Sequence, residues 1–173
     1  MNQEQNPQLR AATNADASAV QSLVFSVLTE YGLIPDPEGT DVDLCDLESS
    51  YRGRGGAFGV LEAAGGRILG CVGLLPLDQG TCELRKMYLL PEARGRGLGR
   101  QLLEASLRKA KEMGFHRVVL ESATVLKEAI SLYERYGFKP YTPEHMSKRC
   151  NRAYSLDLAG YSSAQGGGER PNS

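Results

Sequence analysis

Three glycines and three arginines share one short segment, and their spacing suits the binding of an anion. The segment, Arg94-Gly95-Arg96-Gly97-Leu98-Gly99-Arg100, joins a strand-like run to the start of a helical pattern. The first N–H groups of a helix have no partner within the helix, and the helix dipole adds roughly half a positive charge there. Glycine exposes those N–H groups, and arginine donates to phosphate oxygens through a planar fork. The segment therefore predicts a cradle for a pyrophosphate group.

The spacing within this segment separates it from two other phosphate-binding loops. A P-loop requires G-x-x-x-x-G-K-S/T, and the chain contains neither Gly-Lys-Ser nor Gly-Lys-Thr. The dinucleotide fingerprint G-x-G-x-x-G begins at Gly95 and Gly97, but Arg100 takes the place of its third glycine. The pattern that fits is Q/R-x-x-G-x-G/A, with Arg94, Gly97 and Gly99 at its defined positions.

A second motif lies downstream, where the run Ala129-Ile130-Ser131-Leu132-Tyr133-Glu134-Arg135-Tyr136-Gly137-Phe138 fits A-x-x-L-Y-x-x-x-G-F. With both motifs in this order, the chain resembles the GCN5-related N-acetyltransferases, the GNAT superfamily. The resemblance is specific over residues 81–141 and rests on element order over 8–158. It implies the GNAT acyl-CoA N-acyltransferase fold, an α/β fold with a mixed sheet of about seven strands and flanking helices. It also implies transfer of an acetyl group from acetyl-CoA to an amine by direct attack.

The resemblance further implies where acetyl-CoA, the co-substrate, is held. The strands over 81–90 and 117–122 would splay apart and admit the pantetheine arm, which pairs with backbone groups of 87–89 like an added strand. Arg94 and the amides of 95–100 would hold the pyrophosphate. The cofactor-binding residues predicted in this way are Met87, Tyr88, Leu89, Arg94, Gly95, Arg96, Gly97, Leu98, Gly99 and Arg100. Plain core packing is the alternative for the side chains of Met87 and Leu89.

The amine acceptor must lose a proton, and Glu83 is the candidate for the general base. An amine like that of lysine has a pKa near 10.4, so its deprotonation at pH 7 costs roughly 4.6 kcal/mol. By the resemblance, Glu83 occupies the position of the catalytic glutamate in the histone-acetylating branch. It also interrupts an apolar stretch, where burial raises the pKa of a carboxyl group. The alternatives are an exposed Glu83, a pair with Arg85, and a chain of waters that relays the proton.

The departing CoA thiolate needs a proton, and the resemblance assigns its delivery to Tyr133. The parent thiol is similar to that of cysteine, whose pKa is about 8.5, and a positioned phenol can protonate the thiolate. Core packing is the alternative, because Tyr133 shares one apolar helical stripe with Leu126 and Ile130. Leu126 also departs from the family pattern, in which an asparagine is common at this position.

Acidic residues dominate the variable stretch 36–48, which contains no basic residue. They are Asp36, Glu38, Asp41, Asp43, Asp46 and Glu48. A run of acids is usually a solvated face, and it can also attract a cationic acceptor. Both interpretations stay open, and the sequence does not identify the acceptor beyond a small-molecule or peptide amine.

Length and composition are those of one ordinary globular domain. The 173 residues carry a formal net charge of −1, with 41% hydrophobic and 24% charged residues, which gives no electrostatic reason for binding nucleic acid. No apolar run reaches the ~18 residues of a membrane span, and the first residues lack the pattern of a secretory signal. The cysteines and histidines lack the spacing of a metal site. We expect a cytoplasmic enzyme without a metal, and the oligomeric state stays open, with a homodimer as one alternative.

Hydrophobic periodicity predicts the element order β-α-α-β-β-β-α-β-α-β-β within a single domain over 1–158. The second helix is expected over 41–50, and the two helices next to the motifs over 97–113 and 124–136. The tail, 159–173, has no hydrophobic pattern and is expected to be disordered.

Two other functions stay open on the sequence alone. A non-catalytic acyl-CoA-binding or regulatory module would use the same fold and the same cradle. A nucleotide-binding α/β domain would use Glu121, about 20 residues beyond the loop, to hold a ribose. The missing third glycine counts against this second alternative.

Overall fold

The computed structural model describes residues 6–162, and its seven strands form one mixed sheet. The strands are β1 (Gln8–Ala11), β2 (Ala57–Glu62), β3 (Ile68–Pro76), β4 (Thr81–Leu89), β5 (Arg117–Ser122), β6 (Lys139–Pro140) and β7 (Arg152–Asp157). Their order across the sheet is β1-β2-β3-β4-β5-β7-β6. Neighbouring strands run antiparallel except for β4 and β5, which run parallel. The predicted mixed sheet is therefore confirmed.

The helices pack on both faces of this sheet and bury one core on each face. They are α1 (Ala17–Glu30), α2 (Leu47–Ser50), α3 (Leu98–Glu112) and α4 (Lys127–Arg135). One core contains the buried face of α1 together with Val60 and Cys71 of the sheet. The other contains the buried face of α3 and Tyr133 of α4, packed with Leu61 and Val72. Each fully buried leucine-sized side chain contributes about 1.5–3 kcal/mol, so these two faces hold the helices in place.

The strands β4 and β5 pair over only part of their length. Their parallel register ends at the pair Glu83–Val119, although β4 continues to Leu89 and β5 to Ser122. No further pair joins the two strands within residues 6–162. The predicted splay is therefore confirmed, and the backbone edge of β4 beyond Glu83 faces a gap.

Two boundaries differ from those expected. The single helix predicted over 41–50 is wrong, because a 3₁₀ turn (Val42–Cys45) and α2 are separated at Asp46, whose φ of −143° is not helical. Asp46 instead accepts a hydrogen bond from Ser49 N at 2.9 Å and caps α2. The ordered chain also continues past the predicted boundary at 158, since Tyr161 packs against the core. The rest of the predicted tail, 163–173, lies outside the described residues.

Candidate active site

A cavity of about 870 Å³ fills the gap between the diverging strands. It is lined by the second half of β4, the glycine-rich loop, the first turn of α3, the end of β5, and α4. The predicted site residues that line it are Glu83, Met87, Tyr88, Leu89, Arg94, Gly95, Gly97, Leu98, Gly99, Arg100 and Tyr133. The fold therefore brings both motifs and the candidate base to one cavity, although they lie up to 50 residues apart in the chain.

The glycine-rich loop reaches the cavity through a turn that depends on glycine. Gly97 immediately precedes α3 with a φ of +76°, which is the left-handed conformation that side chains disfavour. A Cβ built on Gly97 would meet no atom within 4 Å, so it would occupy open space beside the first turn of α3. The backbone N–H groups that begin α3 therefore lie next to an open space suited to a bound anion, which fits the predicted pyrophosphate cradle.

The three arginines of the loop have different surroundings. Arg94 lines the cavity, but its guanidinium donates to both carboxylate oxygens of Glu30 at 2.7 and 2.8 Å and to Leu89 O at 3.0 Å. Arg96 is exposed and does not line the cavity. Arg100 lines the cavity and donates to Glu104 at 2.8 Å. Glu30 already neutralises the charge of Arg94, and the predicted phosphate contacts of the three arginines stay predictions.

A β-bulge shapes the part of β4 that faces the cavity. Opposite β3, the register shifts between Cys71 and Gly73, which leaves Lys86 and Met87 facing the single residue Val72. Lys86 has a φ of +53°, and it is the one non-glycine with a positive φ among residues 6–162. This conformation costs a residue with a side chain roughly 1–3 kcal/mol, so surrounding contacts must hold it. The bulge directly precedes the pairs Tyr88–Cys71 and Leu89–Gly70, so it sets how the stretch 87–89, which is predicted to pair with pantetheine, enters the cavity.

Glu83 lies where β4 leaves its pairing with β5, and its side chain is 22% exposed. Burial raises the pKa of this carboxyl group, and the nearby Glu121 carboxylate raises it further, whereas Arg85 opposes the shift. Arg85 Nε lies 3.3 Å from Glu83 Oε1. A carboxylate with a raised pKa is a stronger proton acceptor than an exposed one, which suits a general base. The structure thus places Glu83 in the cavity and also includes the pair with Arg85.

Tyr133 combines the two alternatives that the sequence left open. Its ring packs into the core and lies 5.7 Å from the ring of Phe138, yet the residue also lines the cavity. No hydrogen bond joins its hydroxyl to another group in the described part of the chain. Burial raises the pKa of the phenol well above its usual value, so the hydroxyl stays protonated at neutral pH. This arrangement suits a proton donor and not a base.

A model of the acetyltransferase (GNAT) family matches residues 24–138, more than half of the chain, including both motifs. The chain belongs to the GNAT family. The N-acetyltransferase YjgM of Escherichia coli (strain K12) is 41% identical to it over 140 residues, which cover 78% of this chain and 83% of that protein.

Solved structures of GNAT enzymes share the fold. An acetyltransferase of the GNAT family from Staphylococcus aureus Mu50 has a TM-score of 0.82 at 22% identity, over 88% of this chain and 99% of that chain. The phosphinothricin acetyltransferase (Pat) of Sinorhizobium meliloti, whose structure is a complex with AcCoA, has a TM-score of 0.70 at 20% identity, over 97% of this chain and 94% of that chain. The predicted family and fold are therefore confirmed, and with them the prediction of an N-acetyltransferase.

A group of residues around Glu83 lines the cavity of this GNAT enzyme, and the sequence predicts only part of it. We call this group the acceptor end, because we propose it as the place where the amine binds. It consists of Glu83, Arg85, Glu121, Ser147, Arg149 and Cys150. The sequence predicts Glu121 only as a ribose ligand, although an acid near the end of a buried strand, as at Glu83, is also a signal for a cavity. Ser147, Arg149 and Cys150 carry no local signal, because a long loop before β7 brings them to the cavity.

Most acids of the stretch 36–48 have partners within the GNAT domain. Asp36 accepts from Thr40 N, Asp41 from Lys86 and Arg149, Asp43 from Tyr51, Asp46 from Ser49 N, and Glu48 from Arg52. Glu38 is exposed. The stretch 36–48 is therefore mainly a scaffold beside the acceptor end. It is neither a fully solvated face nor a surface of unpaired acids.

Residues 6–162 contain neither a cluster of metal-ligating side chains nor a helix suited to span a membrane. No group of three or more His, Cys, Asp and Glu side chains in this range is arranged to hold a metal ion. No helix in this range combines the length and the apolar character needed to cross a membrane.

Gly97→Val should weaken acetyl-CoA binding by at least about tenfold, which corresponds to roughly 1.4 kcal/mol. The branched side chain would fill the space beside the first turn of α3 and would also strain the positive φ. Gly114→Val is a matched control, because Gly114 follows the other end of α3 with a φ of +89° and equally open surroundings. Calorimetric titration with CoA should separate the two variants, and equal dissociation constants would remove the cradle assignment.

Proposed function

We propose that this GNAT enzyme transfers the acetyl group of acetyl-CoA to an amine by direct attack, without an acyl-enzyme. The observation that carries the proposal is the convergence of the glycine cradle, Glu83 and Tyr133 on one cavity. The open space beside Gly97 and the unpaired edge of β4 fit a ligand with a pyrophosphate and an extended arm. Acetyl-CoA is supported further by the complex of the Sinorhizobium meliloti relative with AcCoA.

In the proposed reaction, Glu83 accepts a proton from the amine and Tyr133 donates a proton to the departing sulfur. When bound, acetyl-CoA supplies the acetyl group. Glu83 accepts a proton from the amine as the C–N bond forms, which its raised pKa favours. Tyr133 donates its hydroxyl proton to the sulfur as the C–S bond breaks, because its phenol stays protonated at neutral pH. An ammonium acceptor loses its first proton to Glu83, which frees the lone pair that forms the C–N bond. The same nitrogen loses a second proton as the intermediate collapses, and that proton restores the phenol of Tyr133.

The charges at the acceptor end support a cationic amine as the acceptor. Glu83 and Glu121 both line it, and no basic side chain lies within salt-bridge distance of Glu121 in the described chain. Glu121 instead accepts long contacts of 3.3 and 3.4 Å from Ser147 N. Arg85 partly balances the charge of Glu83, so the carboxylate of Glu121 supplies most of the attraction for an ammonium group. The acceptor is thus a small-molecule or peptide amine.

Cys150 lines the same cavity, and its surroundings support direct attack over an acyl-enzyme. Burial is the main cause of its raised pKa, so its thiol is mostly protonated at neutral pH. A protonated thiol is a poor nucleophile. Initial rates measured against both substrates should therefore give intersecting and not parallel double-reciprocal lines.

The proposal is tested by incubating the protein with acetyl-CoA and a panel of amines, amino acids and peptides, and by measuring the release of free CoA thiol. At least one amine should give turnover above the rate of acetyl-CoA hydrolysis. A module that only binds acyl-CoA would bind CoA and release none with any amine. A nucleotide-binding domain would be stabilised by NAD and not by CoA in a thermal-shift measurement.

The proposed location is cytoplasmic, and a homodimer stays one alternative for the assembly. The four cysteines, Cys45, Cys71, Cys82 and Cys150, are free thiols, which suits a reducing compartment. Light scattering of the purified protein would give the oligomeric state.

A further inference from the structure

Asp41, Lys86 and Arg149 form a buried ionic group beside the acceptor end, which we call the Asp41 cluster. Asp41 Oδ1 accepts from Lys86 Nζ and from Arg149 Nη2, both at 2.6 Å, and Oδ2 accepts from Arg149 Nη1 at 2.7 Å. The side chain of Asp41 is 0% exposed and that of Lys86 is 3% exposed. Charges at this depth are tolerated only while they are paired, so each member fixes the position of the others.

The Asp41 cluster joins three segments that are distant in the sequence. Asp41 lies between α1 and α2, Lys86 lies in β4, and Arg149 lies in the loop before β7. Lys86 and Arg149 line the cavity themselves, and Thr40, the neighbour of Asp41, lines it too. Asp41 therefore ties two loops to the strand that carries Glu83.

Lys86 is also the residue of the β4 bulge that holds an unfavourable backbone conformation. Its Nζ donates to Thr40 O at 3.0 Å in addition to Asp41. It lies 3.5 Å from Asp43 Oδ1, a buried atom without a hydrogen-bond partner. A left-handed lysine persists only where its surroundings hold it, and the Asp41 cluster supplies that restraint.

We propose that Asp41 is the positioning residue of the acceptor end, acting through Lys86 and Arg149. It holds the bulge of β4 and the wall formed by 147–150 in one arrangement, so that the amine meets Glu83. Both terminal nitrogens of Arg149 are bound to Asp41, which makes Arg149 part of the wall and not a binding group for an anion. This inference rests on the proposed function for the identity of the acceptor end.

Two substitutions separate positioning from a simple electrostatic effect. Asp41→Asn removes a negative charge beside the acceptor end, and Arg149→Gln removes a positive one. A purely electrostatic effect would move the KM of a cationic amine in opposite directions in the two variants. Loss of positioning would raise the KM of the amine in both variants. Arg149→Gln also leaves Asp41 paired with Lys86, so this variant still tests the positioning role if Asp41→Asn folds poorly.

We expect kcat/KM for the amine to fall at least about tenfold in both variants, within the ~10²-fold that a misplacement of about 1 Å can cost. The acetyl-CoA dissociation constant should change much less than kcat/KM, because the hydrogen bonds of the Asp41 cluster among residues 6–162 do not reach the glycine-rich loop, and only the stretch 87–89 adjoins Lys86. The double variant should be no worse than the more damaged single variant, since both changes remove one interaction. Unchanged amine kinetics, opposite shifts in KM, or a parallel loss of CoA affinity would each overturn the proposal.

Asp16→Asn is the matched control. Asp16 holds Arg10 through the same two-oxygen pairing, at 2.8 and 2.8 Å, and does not line the cavity. Its loss should lower thermal stability without changing the KM of the amine. If Asp16→Asn changed the amine kinetics as much as Asp41→Asn does, the effect would be one of general stability and the positioning role would be refuted.

A labelling experiment tests the Asp41 cluster independently of turnover. Cys150 follows Arg149 and is partly buried, so a loosened wall should expose it to iodoacetamide. Mass spectrometry should show Cys150 alkylation about fivefold or more faster in Asp41→Asn and Arg149→Gln, with buried Cys82 still protected. An unchanged rate of Cys150 alkylation would overturn the proposal that Asp41 restrains the wall formed by 147–150. If no amine gives turnover with the wild-type protein, the proposed function fails, and the labelling still decides whether Asp41 fixes the wall.

Discussion

Tyr133→Phe is expected to lower kcat by about 10²-fold, the low end for removal of a positioned acid. The substitution deletes one hydroxyl and keeps the ring that packs near Phe138. Acetyl-CoA affinity should change little, because the hydroxyl acts mainly when the thiolate departs. Burial raises the pKa of the phenol above the working range, so the loss should be similar at every pH tested. Steady-state kinetics from pH 6 to 9 would measure it.

Tyr154→Phe provides the control for this substitution. Tyr154 is also buried and lies in β7 outside the cavity lining. Among residues 6–162, the one hydrogen bond of its hydroxyl is a long contact of 3.4 Å to Glu134. Its removal should leave kcat unchanged. If Tyr133→Phe folds, binds acetyl-CoA and turns over like this control, Tyr133 has a packing role only, and the proton reaches the thiolate from water.

Glu83→Gln should lower kcat by about 10²-fold near pH 8, because the amide keeps the shape of the carboxyl group but accepts no proton. Burial and Glu121 raise the pKa of Glu83. The wild-type rate should therefore rise with pH as Glu83 ionises, at a pH above the usual range of a glutamate. Below that pH both proteins lack the ionised base, so their rates should converge. Complete pH–rate profiles of the two proteins would show the convergence.

Glu121→Gln is the comparison that identifies the base. Glu121 lines the same end of the cavity, so its loss should raise the KM of a cationic amine and shift the acidic limb of the profile to lower pH. That shift follows because removal of a neighbouring negative charge lowers the pKa of Glu83. If Glu121→Gln abolishes the limb and Glu83→Gln does not, Glu121 is the base. A limb that survives both changes would indicate a proton relay through water.

The parts of the site that depend on neighbouring residues were predictable from the sequence. The turn at Gly97, the exposed N–H groups of α3 and the place of Tyr133 on its helix all follow from spacing within one loop or one helix. Local backbone geometry fixes such features, because glycine permits a positive φ and a helix repeats its faces every three or four residues. The element order was equally predictable, since each amphipathic run has one face that it must bury.

Tertiary structure decided the features that depend on distant pairs. The sequence predicts Arg94 as a phosphate ligand, and it does not predict that packing places Glu30, 64 residues away, against its guanidinium. Arg149 meets Asp41 across 108 residues, and Lys86 meets it across 45. A charged side chain that is removed from water must be paired with an opposite charge. Which side chain becomes its partner therefore depends on which charged residues the fold buries next to one another. The sequence by itself determined the family, the glycine-rich turn before α3 and the two motifs, whereas only the folded chain determined which charged side chains pair with one another.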